Sequence, residues 1–212
     1  MSTEKTEKPR RRRRSPEEAR REALASARIL LLSGGPNAVT LAAVAAEIGV
    51  THANLIHHFG SAAGLQSALM GSMVADLSDA LDVAVARLRT DEGAPLELIN
   101  AVFDAFSAGG AGRLAAWIAL SGDLSHLEPV REAVQSLVVA IQEKLGLGVD
   151  LPDETVGSAV LFIALGAFGD ALIGAPLRGM LGQSEDASRR VTASLLPAFL
   201  SMHPRKPQVL DS

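Results

Sequence analysis

Three histidines and one asparagine, His52, Asn54, His57 and His58, fall within the eight residues His52 to Phe59. Imidazoles bind metals and carry protons, and a carboxamide offers one donor beside one acceptor. A metal site is not expected. On a helix His52 and His57 are five residues apart, and the adjacent His57 and His58 point about 100° from each other, unlike the i, i+4 pair of a helical zinc site. Hydrogen bonding is the chemistry that these side chains otherwise offer. The Asn54 carboxamide matches N6 and N7 of adenine, a bidentate contact worth ~1–3 kcal/mol of discrimination. A plain solvent-facing asparagine is the alternative. Ala53 suits either a thymine methyl or packing on a preceding helix.

A second chemical feature is the run Arg10, Arg11, Arg12, Arg13 and Arg14. It lies in a polar stretch, residues 1–14, that holds nothing from which to build a core, so a disordered basic arm is expected there. The net charge of −4 hides an asymmetry: residues 1–60 carry a balance of +4 and residues 61–212 a balance of −8. The first part suits a polyanion, and the second suits protein or small-molecule contacts.

Enzyme chemistry finds little support. The 212 residues include no cysteine, so thiolate nucleophiles, thiolate metal sites and disulfides are excluded. No Gly-rich loop joins a strand to a helix, and no Ser-His-Asp set rises above scattered residues. No enzyme activity and no cofactor are expected. The charged start lacks the apolar run of a secretory signal, and a cytoplasmic location is expected.

The elements that must position the polar segment read as helices throughout. Aromatics make up 3% of the chain, and alternating runs of β-branched residues are missing, so an all-α fold follows. Ser15-Pro16-Glu17-Glu18 combines an N-cap, a proline in the first turn and a capping-box glutamate, and Gly34-Gly35-Pro36 closes the helix that begins there. Leu41, Val44, Ala45 and Ile48 repeat at i, i+3, i+4, i+7, with Thr40 as cap. Gly49 then supplies a residue able to take positive φ, and Thr51 caps a helix from His52. Val50 and Leu55 have the spacing of a hydrophobic staple. Two short helices joined by so tight a turn form a helix-turn-helix, whose second helix enters the major groove.

Further helices are expected at 61–89, 96–108, 112–122, 128–145, 153–173 and 185–200, with breaks at Gly109-Gly110, Gly146-Leu147-Gly148 and Gly174-Ala175-Pro176. No internal repeat is present.

The ordered string Val39-Thr40, Val44-Ala45, Ile48-Gly49-Val50-Thr51, Leu55-Ile56-His57-His58-Phe59-Gly60-Ser61 and Leu65 resembles the TetR family of transcription regulators over about residues 16–70. The resemblance implies an N-terminal three-helix DNA-binding module, residues 15–61, and a larger helical effector-binding and dimerisation domain, residues 62–201, with a tail at 202–212. It makes Ala45, Gly49, Val50, Leu55, Phe59 and Leu65 structural positions, and Thr40 and Thr51 caps that also donate to phosphate. His52, Ala53, Asn54 and His57 match the groove-facing positions, with His58 beside the backbone. The family usually has tyrosine at Ile56 and lysine at Ala62, so two phosphate contacts are missing, and the Arg10–Arg14 arm is the available compensation. The implied function is a repressor released from a palindromic DNA operator by a small-molecule effector. A helical dimeric interaction protein that has lost DNA binding is the alternative.

Thr155 to Gly169 is uncharged and rich in Ala and Gly. At 15 residues it is shorter than the ~20 that cross a bilayer, so a buried helix and no membrane partner are expected. Small residues at Gly157, Ala164, Ala167 and Ala171, with Val191, Leu195 and Phe199, suggest either a homodimer four-helix bundle or the core of the monomer. Asn100, Phe103, Asp104, Phe106, Arg113 and the single tryptophan, Trp117, mark where a ligand pocket is expected, with ordinary core packing the alternative account of the aromatics.

Overall fold

The computed structural model describes residues 15–87, 91, 93–121, 128–146 and 153–201. The Arg10–Arg14 run and the tail at 202–212 lie outside the described residues, as does the side chain of Phe199. Among the described residues there is no strand. The helices are α1 (Pro16–Gly34), α2 (Leu41–Ile48), α3 (His52–Phe59), α4 (Ala62–Arg87), α5 (Ala94–Phe106), α6 (Ala111–Ser121), α7 (Glu128–Gly146), α8 (Asp153–Gly169), α9 (Ala175–Leu181) and α10 (Ala187–Ser201).

Local chemistry sets the N-terminal elements. The Ser15 amide donates to Glu18 Oε2 at 2.8 Å and the Glu18 amide donates to Ser15 Oγ at 3.1 Å, a closed capping box. Pro36–Ala38 forms a 3₁₀ turn. Gly49 takes φ 67°, ψ 38° at the end of α2, the left-handed conformation that lets a second helix begin within three residues.

Two apolar cores share α4. The first joins Ala23, Ala27 and Leu31 of α1 to Val44, Leu55 and Phe59, to Leu65 and Leu69 of α4, and to Leu114 and Ile118 of α6. The second joins Leu81 and Val85 of α4 to Ile99 and Phe103 of α5, Leu137 of α7, Ile163 of α8 and Leu196 of α10. The stripe along α4 therefore runs through both, with Val74 packed against each. The helix contributes to both cores and so links the two regions.

The expected break near Gly174 does not occur. A π-helical segment, Asp170–Gly174, carries α8 directly into α9. Pro176 cannot donate the backbone hydrogen bond of a regular helix, and the wider turn ahead of it absorbs that loss while the axis continues. The same turn brings the Asp170 carboxylate to Arg178, and the two form a largely buried ion pair.

Of the two readings of the small-residue face, Ala167 and Ala171 follow the monomer core. Ala167 is 1% exposed and belongs to the second core, and Ala171 lies against Gly112 of α6. Small side chains there let α5, α6 and α10 approach α8 within the monomer. The span Thr155–Leu181 is longer than the 15-residue run seen in the sequence and is long and apolar enough to cross a membrane, and it is buried on one side, at Val156, Ala159, Ile163 and Ala167, and exposed on the other. Its exposed face carries Leu161, Leu165, Leu172 and Met180, and α10 exposes Val191 and Leu195.

Candidate DNA-reading surface and interior cavity

Helix α3 has two sides of opposite character. Leu55 and Phe59 are buried in the first core, whereas His52, Ala53, Asn54, Ile56 and His57 are exposed. Anchoring comes from three directions. Thr51 Oγ1 accepts from the Asn54 amide at 3.3 Å, which satisfies a donor left free by the first helical turn. Val50 packs against the core that contains Leu55, as its staple position requires. At the other end, the Arg20 guanidinium donates to the His58 carbonyl at 2.9 Å and stacks over the Phe59 ring at 4.7 Å. A cation at a helix C-terminus meets the carbonyls that the last turn leaves unpaired.

Thr40 caps α2 in the same way as Thr51 caps α3, accepting from the Ala43 amide at 3.1 Å. Both threonines remain exposed. The Gln66 carboxamide donates to the Val39 carbonyl at 3.2 Å and ties α4 to the residue before this cap. Gly64 allows α4 to start where it does, since a Cβ there would stand 2.0 Å from the Phe59 carbonyl oxygen. Sequence reasoning missed Arg20, Gln66 and Gly64, because their partners lie on other elements or depend on the turn between α3 and α4.

The resulting surface is a shallow polar edge with exposed hydroxyl, imidazole and carboxamide groups. The rings of His57 and His58 meet edge to face at 5.7 Å, and His58 is half-buried. No group of three or more metal-ligating side chains occurs among the described residues. Residues 39–61 contain no lysine or arginine, and their one formal charge is Glu47. Ile56, at 44% exposure, and the exposed Ala62 stand on this edge as apolar groups.

The residues expected to form a ligand pocket divide among three surroundings. Phe103 is buried in the second core beneath the Arg189 guanidinium, 5.7 Å from the ring centre. Asn100 and Asp104 line an open polar cleft of about 820 Å³ beside α9 and α10, where Arg189 pairs with Asp104 at 2.7 Å and reaches Asn100 at 3.4 Å. Arg113 and Trp117 stand exposed on α6. Phe106 alone of the six lines a separate apolar cavity of about 410 Å³. That cavity lies between α4, α5, α7 and α8, with Leu77 and Leu81, Val102, Val138 and Ile141, and Val160 among its walls. Its signal in the sequence is the aliphatic spacing Val74, Leu77, Leu81, Val85 and Val134, Leu137, Val138, Ile141, which reads equally as ordinary core.

The geometry defines a helix-turn-helix protein with a large helical body. Residues 23–69 match the family model of bacterial regulatory proteins, tetR family. That match lies within the N-terminal helices, and the fold of the chain is similar to that of candidate TetR-family regulators of known structure. A candidate tetR-family regulator from Shewanella sp. PV-4 is 19% identical with a TM-score of 0.57, covering 87% of this chain and 99% of its own. One from Mesorhizobium loti MAFF303099 is 16% identical with a TM-score of 0.59, covering 89% and 98%. A candidate transcriptional regulator from Saccharomonospora viridis, in complex with choline, is 19% identical with a TM-score of 0.53, covering 85% and 96%. At these identities the likeness is one of fold. No curated protein matches the chain.

Proposed function

We propose that this protein is a homodimeric DNA-binding repressor, released from a palindromic operator by a small-molecule effector. The observation that carries the DNA-binding part is the two-sided α3, locked by its apolar side and offering Asn54, His52 and His57 on the other. In this reading Asn54 reads a base edge, and Ala53 allows the backbone to come close. Thr40, Thr51 and His58 face phosphates, and Arg10–Arg14 supply the positive charge that residues 39–61 lack. Selection from random duplexes tests it. A pseudo-palindrome with half-sites about one turn (~34 Å) or more apart is expected, and an asymmetric site bound by one copy overturns it. Deleting residues 1–14 should reduce the salt slope of binding by ~0.9 for each phosphate that the arm neutralises.

The dimer part rests on the exposed apolar stripe of α8, α9 and α10. Leu165, Leu172, Met180, Val191 and Leu195 are exposed apolar side chains of the kind that marks an interface, and in this reading a second copy of the same stripe covers them as a four-helix bundle. In this reading the domains divide at residues 15–61 and 62–201, joined through α4.

The effector part rests on the cavity. Its walls present apolar surface from α4, α5, α7 and α8 around about 410 Å³, and a ligand of matching character would cover that surface. Because the cavity borders α4, which also enters the core beneath α3, a ligand there alters the support of the reading helix. The choline bound by the Saccharomonospora viridis neighbour is a cation. The described walls of this cavity carry no acid and one aromatic ring, Phe106, and choline is not the effector proposed for this chain.

One observation favours the alternative of a helical dimer without DNA binding: Ile56 and Ala62 present apolar groups on the reading edge. Sequence-selective, salt-dependent binding by the purified protein eliminates that reading.

A further inference from the structure

The lining of the cavity fixes the chemistry of its occupant more narrowly than the fold does. Every described residue of its wall is Val, Leu, Ile, Ala, Phe or Gly, so the wall offers no side-chain hydrogen-bond donor, acceptor or charge. Apart from Val156, in the first turn of α8, and Phe106, the last residue of α5, the lining segments lie in helix interiors whose backbone groups are paired along the axis. A hydroxyl or amide carried into such a place loses its water partners and gains none, which lowers affinity about ten- to a hundredfold for each group. An ion is excluded more strongly. A single aromatic ring, Phe106, does not build the cage that holds quaternary ammonium groups.

Size and access narrow it further. At ~30 Å³ for each water-sized group, about 410 Å³ holds roughly a dozen carbon-sized groups. Val134 of α7 and Leu161 of α8 line the cavity yet are 36% and 60% exposed, so the opening lies between these two helices. A chain entering there keeps one polar end at the opening and its hydrocarbon inside, and because the rim residues Val134 and Leu161 are apolar, a charged end held against them loses hydration without gaining a counter-charge.

We propose that the effector is an uncharged, hydrocarbon-rich molecule of about a dozen carbons, threaded between α7 and α8 with its one polar group at the opening. This rests on the ligand-responsive reading above and names the ligand class for it.

The test uses the full chain and straight-chain primary alcohols from hexanol to tetradecanol as probes, with alkyl trimethylammonium and alkyl sulfonate ions of equal length beside them. Binding is read by calorimetry. Affinity should rise about fourfold for each added CH₂ up to roughly twelve carbons and then level off, with a negative heat-capacity change. Charged congeners should bind at least tenfold more weakly.

Two variants locate the site. A Cβ added at Gly157 meets nothing within 4 Å, so Gly157→Leu extends into the space without a clash at its first atom, and Ala164→Leu fills the same wall from farther along the helix. Each should melt at or above the wild-type temperature and bind dodecanol at least tenfold more weakly. Equal binding of the ions, a rise in affinity without a plateau, no binding of any alcohol, or unchanged affinity in both folded variants overturns the proposal. Release of the selected duplex is measured separately. If the alcohols bind and the filled variants lose them while DNA stays bound, the ligand class holds and the effector reading fails. If a charged or strongly polar compound releases DNA while the alcohols are inert, the effector reading holds and the ligand class fails.

Discussion

The core beneath α3 and the core beneath α5 use the same kinds of residue to opposite ends. In the first, Leu31, Val39, Val44, Leu55 and Leu65 have no exposed surface at all, and the backbone around them is pinned by Thr40, Thr51, Arg20 and Gln66. In the second, Leu81, Val102 and Ile163 are nearly as buried, yet they border about 410 Å³ of space. A surface that reads bases must hold its side chains to a fraction of an ångström, and dense packing around capped helices provides that. In the proposed function the second region takes in a ligand, and apolar walls around a gap suit that role. Depth of burial alone does not separate the two; the neighbours of the buried atoms do.

The largest expected effect that tests this contrast comes from placing one charge on two faces of α8. Ala167→Glu puts a carboxylate into the second core without a partner and should cost several kcal/mol, seen as a large fall in melting temperature. Leu165→Glu, on the exposed stripe at 61% exposure, should leave the monomer folded and prevent association, read by sedimentation. A folded, monomeric Ala167→Glu would reverse the assignment of the two faces.

Next in size is the same enlargement made in each core. Val44→Leu enlarges a side chain with no exposed surface in the first core and should destabilise by about 1–3 kcal/mol. Val102→Leu adds its methylene beside the cavity and should be close to neutral. Thermal melts of the two variants decide it, and equal losses would mean that the cavity walls are as unyielding as the first core.

On the reading surface, Asn54→Ala should relax the preference at one base pair in each half-site by ~1–3 kcal/mol while binding to unrelated DNA is nearly unchanged. Its stability should not change, because the Asn54 amide that donates to Thr51 belongs to the backbone. A uniform loss on all sequences would make Asn54 a phosphate contact.

The smallest effect is expected between α4 and α5. The Gly93 amide donates to Asp91, and Arg87 pairs with the same carboxylate, which together hold Asp91 below the usual carboxylate range. A carboxylate with a depressed pKa stabilises the fold above its unfolded value and loses that contribution as pH falls through its folded value. Asp91→Asn should therefore flatten the acid side of the stability profile slightly, with no change at neutral pH in DNA affinity. The site is exposed, and salt should weaken the effect further.

The sequence by itself determined the local features of the chain. Ser15 with Glu18, Thr40 before Leu41, and Gly49 followed by Thr51 are caps whose hydrogen bonds close within four residues, so their meaning travels with the residues themselves. The side of α3 that carries Asn54 was legible for the same reason, since Leu55 and Phe59 are spaced to turn one way. What lies beyond one helix was not legible. The continuation of α8 through Pro176 depends on a π turn, and Ala167 faces the monomer because α5 and α10 sit there. Trp117 and Phe106 were grouped by their chemistry, and the fold sets them in different surroundings. A run of valines and leucines at helical spacing specifies an apolar face without saying whether the helix opposite will fill it. Only the placement of α4, α5, α7 and α8 decided that a gap would remain, because a cavity belongs to the distances between elements and to no residue's own propensity.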